Sequence, residues 1–105
     1  MTADSETVRY VVFHTLFPIW EKGVDFREQV SIDKHIYHYC TLFKEGKLEL
    51  GSSFLLPDLG SMMIAVQGYP MEELIAFAAE DPAVQSGLLE YAVRPWYTPM
   101  DRRSK

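Results

Sequence analysis

Cysteine is nearly absent: Cys40 is the only one in 105 residues. No intrachain disulfide and no CxxC site can form, which suits a reducing compartment and makes the cytoplasm the expected location. Long apolar runs are missing too. The longest, residues 74–79, falls far short of the ~20 residues a membrane-spanning helix needs, and residues 1–7 carry no basic and apolar export pattern. Positive charge is scarce, since ten Lys and Arg against fifteen Asp and Glu give a net charge of −5. That is the wrong sign for a chain that binds by neutralising phosphates, so neither nucleic acid nor a membrane is expected as a partner. A glycine-rich phosphate loop, a GxSxG elbow and an HExxH pair are also lacking, which removes the common nucleotide-binding, serine-hydrolase and zinc-protease patterns.

What is present is a globular composition, 48% hydrophobic and 24% charged, at a length that supports one domain. That domain is expected over residues 8–97, between a disordered N-terminal tail (1–7) and a polar C-terminal tail (98–105). Val8–Leu16 is β-branched and aromatic and reads as a strand. Residues 17–30, with Pro18, Trp20 and Gly23 among unpatterned charges, read as a long loop of the kind kept for function. Ile32, Ile36, Tyr39 and Phe43 recur at helical spacing, with Ser31 or Asp33 to cap the start and Gly46 to stop it, which predicts a helix over 31–45. Two strands follow, 47–55 and 62–66, joined by the turn Pro57-Asp58-Leu59-Gly60. A second helix is expected over 70–79, then a short helical turn capped by Asp81-Pro82 and ended by Gly87, and a last strand over 88–96.

The order strand, helix, strand, strand, helix, strand predicts a ferredoxin-like α+β fold, βαββαβ, with two helices on one face of a four-stranded antiparallel sheet. The first and third strands are apolar on both faces. A second copy of the chain is therefore expected to cover the helix-free face, giving a homodimer with a barrel-like core.

His35 stands in the first turn of the predicted helix at the border of its apolar stripe, where the helix dipole favours a neutral imidazole able to act as a base. A helix-flank histidine bonded to a neighbour is the plainer alternative. His38 is expected to face water. Asp81 reads first as a helix cap, though a carboxylate there can also orient an imidazole. His14 ends the first strand on the face of Tyr10 and Val12 and is expected to line a pocket. The three histidines lack the spacing and fourth ligand of an ordinary zinc site, so no metal is expected. Cys40, without a basic or histidine neighbour, reads as a buried structural thiol. Trp20, Phe17 and Phe54 are candidate walls for a pocket accepting an aromatic ring, with core packing as the commoner fate, and Arg27 is a candidate partner for an anionic group.

Several of these segments together resemble YCII-related proteins: the aromatic first strand, Asp33-Lys-His35-Ile-Tyr-His-Tyr39, Gly46-Lys-Leu-Glu-Leu-Gly51, the Met-rich third strand, Asp81-Pro82-Ala-Val84-Gln-Ser-Gly87 and Val93-Arg-Pro-Trp96. The resemblance covers residues 8–97 and departs from the family at Gly51-Ser52-Ser53-Phe54, where relatives often carry Gly-Gly-Pro-Phe. It implies a dimeric α+β barrel whose cleft centres on a histidine and aspartate pair, here His35 and Asp81; His14, Trp20, Arg27, Ser53 and Phe54 are the substrate-binding residues expected around that pair. The implied activity is cofactor-free acid-base chemistry, elimination or isomerisation of a small ring-containing molecule. The alternatives are a non-catalytic dimer binding a small ligand in the same cleft and, more remotely, a cofactor-free oxygenase.

Overall fold

The β-branched and aromatic run Val8–Leu16 forms the first strand, β1, over the span expected from its composition. The computed structural model describes residues 8–53 and 60–102. After β1 come a 3-10 turn at Phe26–Glu28, helix α1 (Ile32–Lys44), strands β2 (Leu48–Ser53) and β3 (Ser61–Ala65), helix α2 (Met71–Ala79), the short helix α3 (Pro82–Gln85) and strand β4 (Leu89–Tyr97). The strands make one antiparallel sheet in the order β2-β3-β1-β4, an α+β architecture compatible with a ferredoxin-like fold. The expected tail at 1–7 and the turn residues Pro57, Asp58 and Leu59 lie outside the described residues. Among those described, no helix is long and apolar enough to cross a membrane.

Strand register assigns the faces, because side chains alternate along a strand. Tyr10, Val12 and His14 face the helices, where Val12 joins Tyr39, Leu42, Leu48, Met63, Ala65, Leu74 and Ala78 in the main core. A second cluster, Trp20, Ile32, Ala83, Leu88 and Leu89, closes the end of the sheet where β1 finishes and β4 begins. On the helix-free face Val11 and Ile64 are buried, Phe13, Met62 and Ala92 are half-buried, and Leu50 and Trp96 are exposed. The chain beyond β4, expected as a polar tail, turns back onto this face. Arg9 Nη1 donates to Asp101 Oδ2 at 3.0 Å and to Thr98 Oγ1 at 3.4 Å.

Helix α1 is rolled relative to the stripe expected from hydrophobicity. Its buried residues are Ile32, His35, Tyr39 and Leu42, while Ile36 and Phe43 are 45% and 57% exposed. The two stripes share Ile32 and Tyr39 and differ by roughly 50° around the helix at ~100° per residue. Three expectations change with this roll. His35 stands inside the core rather than at its border. Cys40, read as a buried thiol, is exposed. His38, expected to face water, is half-buried, stacks on Phe77 at 3.9 Å between ring centroids, and donates from Nε2 to the Phe77 carbonyl at 2.7 Å.

The 17–30 segment is tied down by its own side chains. Buried Gln29 donates from Nε2 to the carbonyls of Glu21 (2.8 Å) and Val24 (3.0 Å), and its Oε1 accepts from the Glu21 N–H at 2.9 Å.

Candidate functional site

Three elements bring their ends together where β1 finishes. Helix α1 begins at Ser31, which adopts a left-handed conformation (φ 66°) and makes no side-chain cap, contrary to the capping role expected for it. Its carbonyl accepts from the His35 N–H at 3.1 Å. At the start of α3, Asp81 caps the helix as its sequence implies: Oδ1 accepts from the Ala83 N–H at 2.9 Å, and Pro82 fills the first turn. One carboxylate oxygen suffices for the cap. The other, Oδ2, lies 2.5 Å from His35 Nδ1, 46 residues away in sequence.

His14 completes the cluster from the strand side. Its Nδ1 is 3.1 Å from Ser61 Oγ, the residue opposite it in β3, and its Nε2 is 3.2 Å from Tyr39 Oη and 3.6 Å from Asp81 Oδ2. The His14 and His35 rings meet edge to face at 4.7 Å, and Tyr39 packs edge-on against both. His14, His35, Tyr39, Ser61 and Asp81 are all buried.

The protonation states follow from the surroundings. Burial pushes the Asp81 carboxyl up, but the hydrogen bond and charge of His35, the Ala83 N–H and the nearby His14 outweigh it and hold the group below its ordinary value. Asp81 is therefore a carboxylate near neutral pH, and His35 donates its Nδ1 proton to it. Burial, followed by the neighbouring His35, drives His14 down to about 3 despite the opposing pull of Asp81, so His14 is neutral. Burial and the Asp81 charge raise Tyr39, which stays a phenol. Either tautomer of His14 is satisfied, because Ser61 and Tyr39 hydroxyls each donate or accept as required. One polar atom in the cluster has no partner, and it is His35 Nε2.

His35 also lines a groove of about 370 Å³ between α1 and the β2–β3 edge, together with Ile36, Tyr39, Cys40, Phe43, Leu48, Gly51, Ser52 and Met63. A larger recess of about 550 Å³ on the other flank of α1 is lined by Asp33, Lys34, Tyr37, His38, Thr41 and Pro82 and contains no member of the cluster.

The structure thus joins His14, His35 and Asp81. Trp20 is packed in the second core cluster, and Arg27 is exposed and pairs with Asp25 at 3.1 Å. Phe54 and the Ser53 side chain lie outside the described residues. Sequence reasoning passed over Tyr39 and Ser61 as members of the network. Tyr39 carried a core signal only, and Ser61 becomes a partner of His14 solely through strand register. One donor atom from each of His14, His35 and Asp81 lies within 4.8 Å of the others, a two-histidine, one-carboxylate set. A metal there would exchange the bonds His14 makes with Ser61 or Tyr39 and the one His35 makes with Asp81. Compared with models of known protein families and with curated proteins, the chain matches none.

Proposed function

We propose that this chain is a YCII-related, cofactor-free enzyme of ferredoxin-like fold that uses His35 and Asp81 as an acid-base pair on a small, ring-containing molecule. The observation that carries the reading is the environment of His35: Nδ1 is held by a buried carboxylate, the buried Nε2 is left without a partner, and the residue is one of those lining a groove. That is the arrangement an acid-base histidine needs, with one ring nitrogen held by a carboxylate and the other left unbonded within the protein. Nε2 takes a proton from the substrate, and Asp81 stabilises the imidazolium. In an elimination the C–H electron pair becomes a new π bond and the leaving group departs with its own pair. In an isomerisation the imidazolium returns the proton to a different carbon. The same reading has two copies pair through the helix-free sheet face, where Leu50 and Trp96 stand exposed beside Phe13, Met62 and Ala92.

Screening ring-containing acids, quinols and lactones for turnover tests the activity. His35→Ala is expected to lower any turnover found by about 10²–10⁴-fold, the usual worth of a general base. Asp81→Asn is expected to lower it while leaving the fold, since Asn caps as well as Asp. Binding without turnover in the wild type would mean a ligand-binding protein instead. A stable monomer by sedimentation at micromolar concentration would remove the dimer.

A further inference from the structure

The chemistry of the groove narrows what His35 can meet. Ile36, Cys40 and Phe43 form one wall from the face of α1 that the roll leaves exposed, and Leu48, Gly51, Ser52 and Met63 form the other from the sheet. Among the described residues, no Lys, Arg, Asp or Glu lines it. A carboxylate or phosphate entering this groove would lose water and gain no counter-charge from those walls, and Asp81, the charge bonded to His35, has the same sign. The buried Nε2 of His35 asks instead for a neutral O–H or a weakly acidic C–H.

Gly51 keeps the space open. A Cβ built at that position would come within 2.9 Å of Met63 Sδ and 3.3 Å of Leu48 Cδ2. Any larger residue there must displace the Met63 thioether, the flexible end of a side chain that itself lines the groove.

We propose, resting on the acid-base reading of His35, that this groove selects uncharged, largely apolar ring molecules and rejects their anionic counterparts, with Gly51 as the residue that sets its depth. The occupant is a small molecule rather than a protein surface, because a volume of about 370 Å³ suits a single ring with few substituents and His35, which lines the groove, is itself buried.

Two matched pairs test this: 4-methylphenol against 4-hydroxybenzoate, and cyclohexanone against cyclohexanecarboxylate, titrated into the full chain and followed by NMR shifts of the His35 ring. The neutral member of each pair is expected to bind at least about tenfold more tightly and to slow alkylation of Cys40 by iodoacetamide, since Cys40 shares the wall. Gly51→Val is expected to abolish both effects. Cys40→Trp, at an exposed helix position that leaves the core untouched, is expected to abolish the NMR shift even where Gly51→Val unfolds. Equal or tighter binding of the carboxylates, no binding by either class, or unchanged binding in Cys40→Trp overturns the proposal. Neutral ligands that bind but are never turned over sustain the groove and end the catalytic reading, whereas turnover of an anionic substrate by His35 does the reverse.

Discussion

On the helix-covered face of the sheet Asp81 is fully enclosed, and both its oxygens are engaged by groups from regular elements, the Ala83 N–H of α3 and the His35 ring of α1. On the opposite face Arg9 is almost as enclosed, but its partner Asp101 belongs to the segment after the last strand. Among the described residues, each face leaves one buried side-chain nitrogen without a partner, Nε2 of His35 and Nε of Arg9. The difference lies in what holds each carboxylate. Asp81 cannot leave its histidine without dismantling α3, whereas Asp101 stands outside the regular elements, beyond β4. A buried charge is costly to orphan only where its surroundings cannot let it escape.

The sharpest way to break this comparison is Asp81→Ala, which removes the α3 cap and strands the His35 Nδ1–H inside the core. A loss of about 3–5 kcal/mol is expected by urea unfolding, the scale for removing one partner of a buried pair. A cost near 1 kcal/mol would mean that the cap alone mattered.

The pH dependence probes the same face through His14. The folded state keeps this histidine neutral down to about pH 3, while the unfolded chain protonates it near 6.5. The stability it contributes is therefore complete above pH 6.5 and falls as pH drops toward 3, by about 1.4 kcal/mol per unit once the unfolded histidine is fully charged. Asp81, held below its ordinary value of 3.8, adds a loss of the same sign only at lower pH, where the unfolded carboxyl takes up a proton that the folded one still resists. His14→Gln should flatten the slope between pH 6 and 4, measured by urea unfolding at stepped pH. An unchanged slope would place the acid sensitivity elsewhere.

Arg9→Met keeps the aliphatic stem and removes the charge. Because Asp101 stands outside the regular elements and is not fixed by a helix or strand, a cost of about 1 kcal/mol is expected, smaller than for a pair locked between elements, accompanied by faster proteolytic cleavage after Arg102. A loss as large as that of Asp81→Ala would erase the contrast between the faces. The smallest effect is expected at Ser31, whose left-handed backbone is strained for a residue with a Cβ. Ser31→Gly should stabilise by about 0.5–1 kcal/mol in thermal unfolding, the scale of that strain.

Strand β1, the positions of the two main helices and the Asp81-Pro82 cap were legible because they depend on local preferences: β-branching, turn residues, and a side chain that bonds a backbone N–H two residues on. The His35–Asp81 pair was legible as residue types and became a contact only through the fold. The face of α1 was not legible. Ile32-Ile36-Tyr39-Phe43 is the more apolar stripe, and it lost to one that buries a histidine, because Asp81 and His14, distant in sequence, supply the polar partners that make this burial tolerable. Trp20 was ambiguous for a related reason, since a loop aromatic packs wherever the chain ends of other elements leave room, here against Ile32, Ala83, Leu88 and Leu89.

By itself, then, the amino-acid sequence determined the elements, their order and the residue types available for proton transfer, all of which follow from interactions within a few positions along the chain. Tertiary structure decided which face of α1 turned inward, that Cys40 and Phe43 became a groove wall while His35 became buried, and that burial beside His35 keeps His14 neutral while Ser61 and Tyr39 bond its ring. Those outcomes depend on packing volumes and on hydrogen-bond partners brought together across the sheet, and no local pattern encodes them.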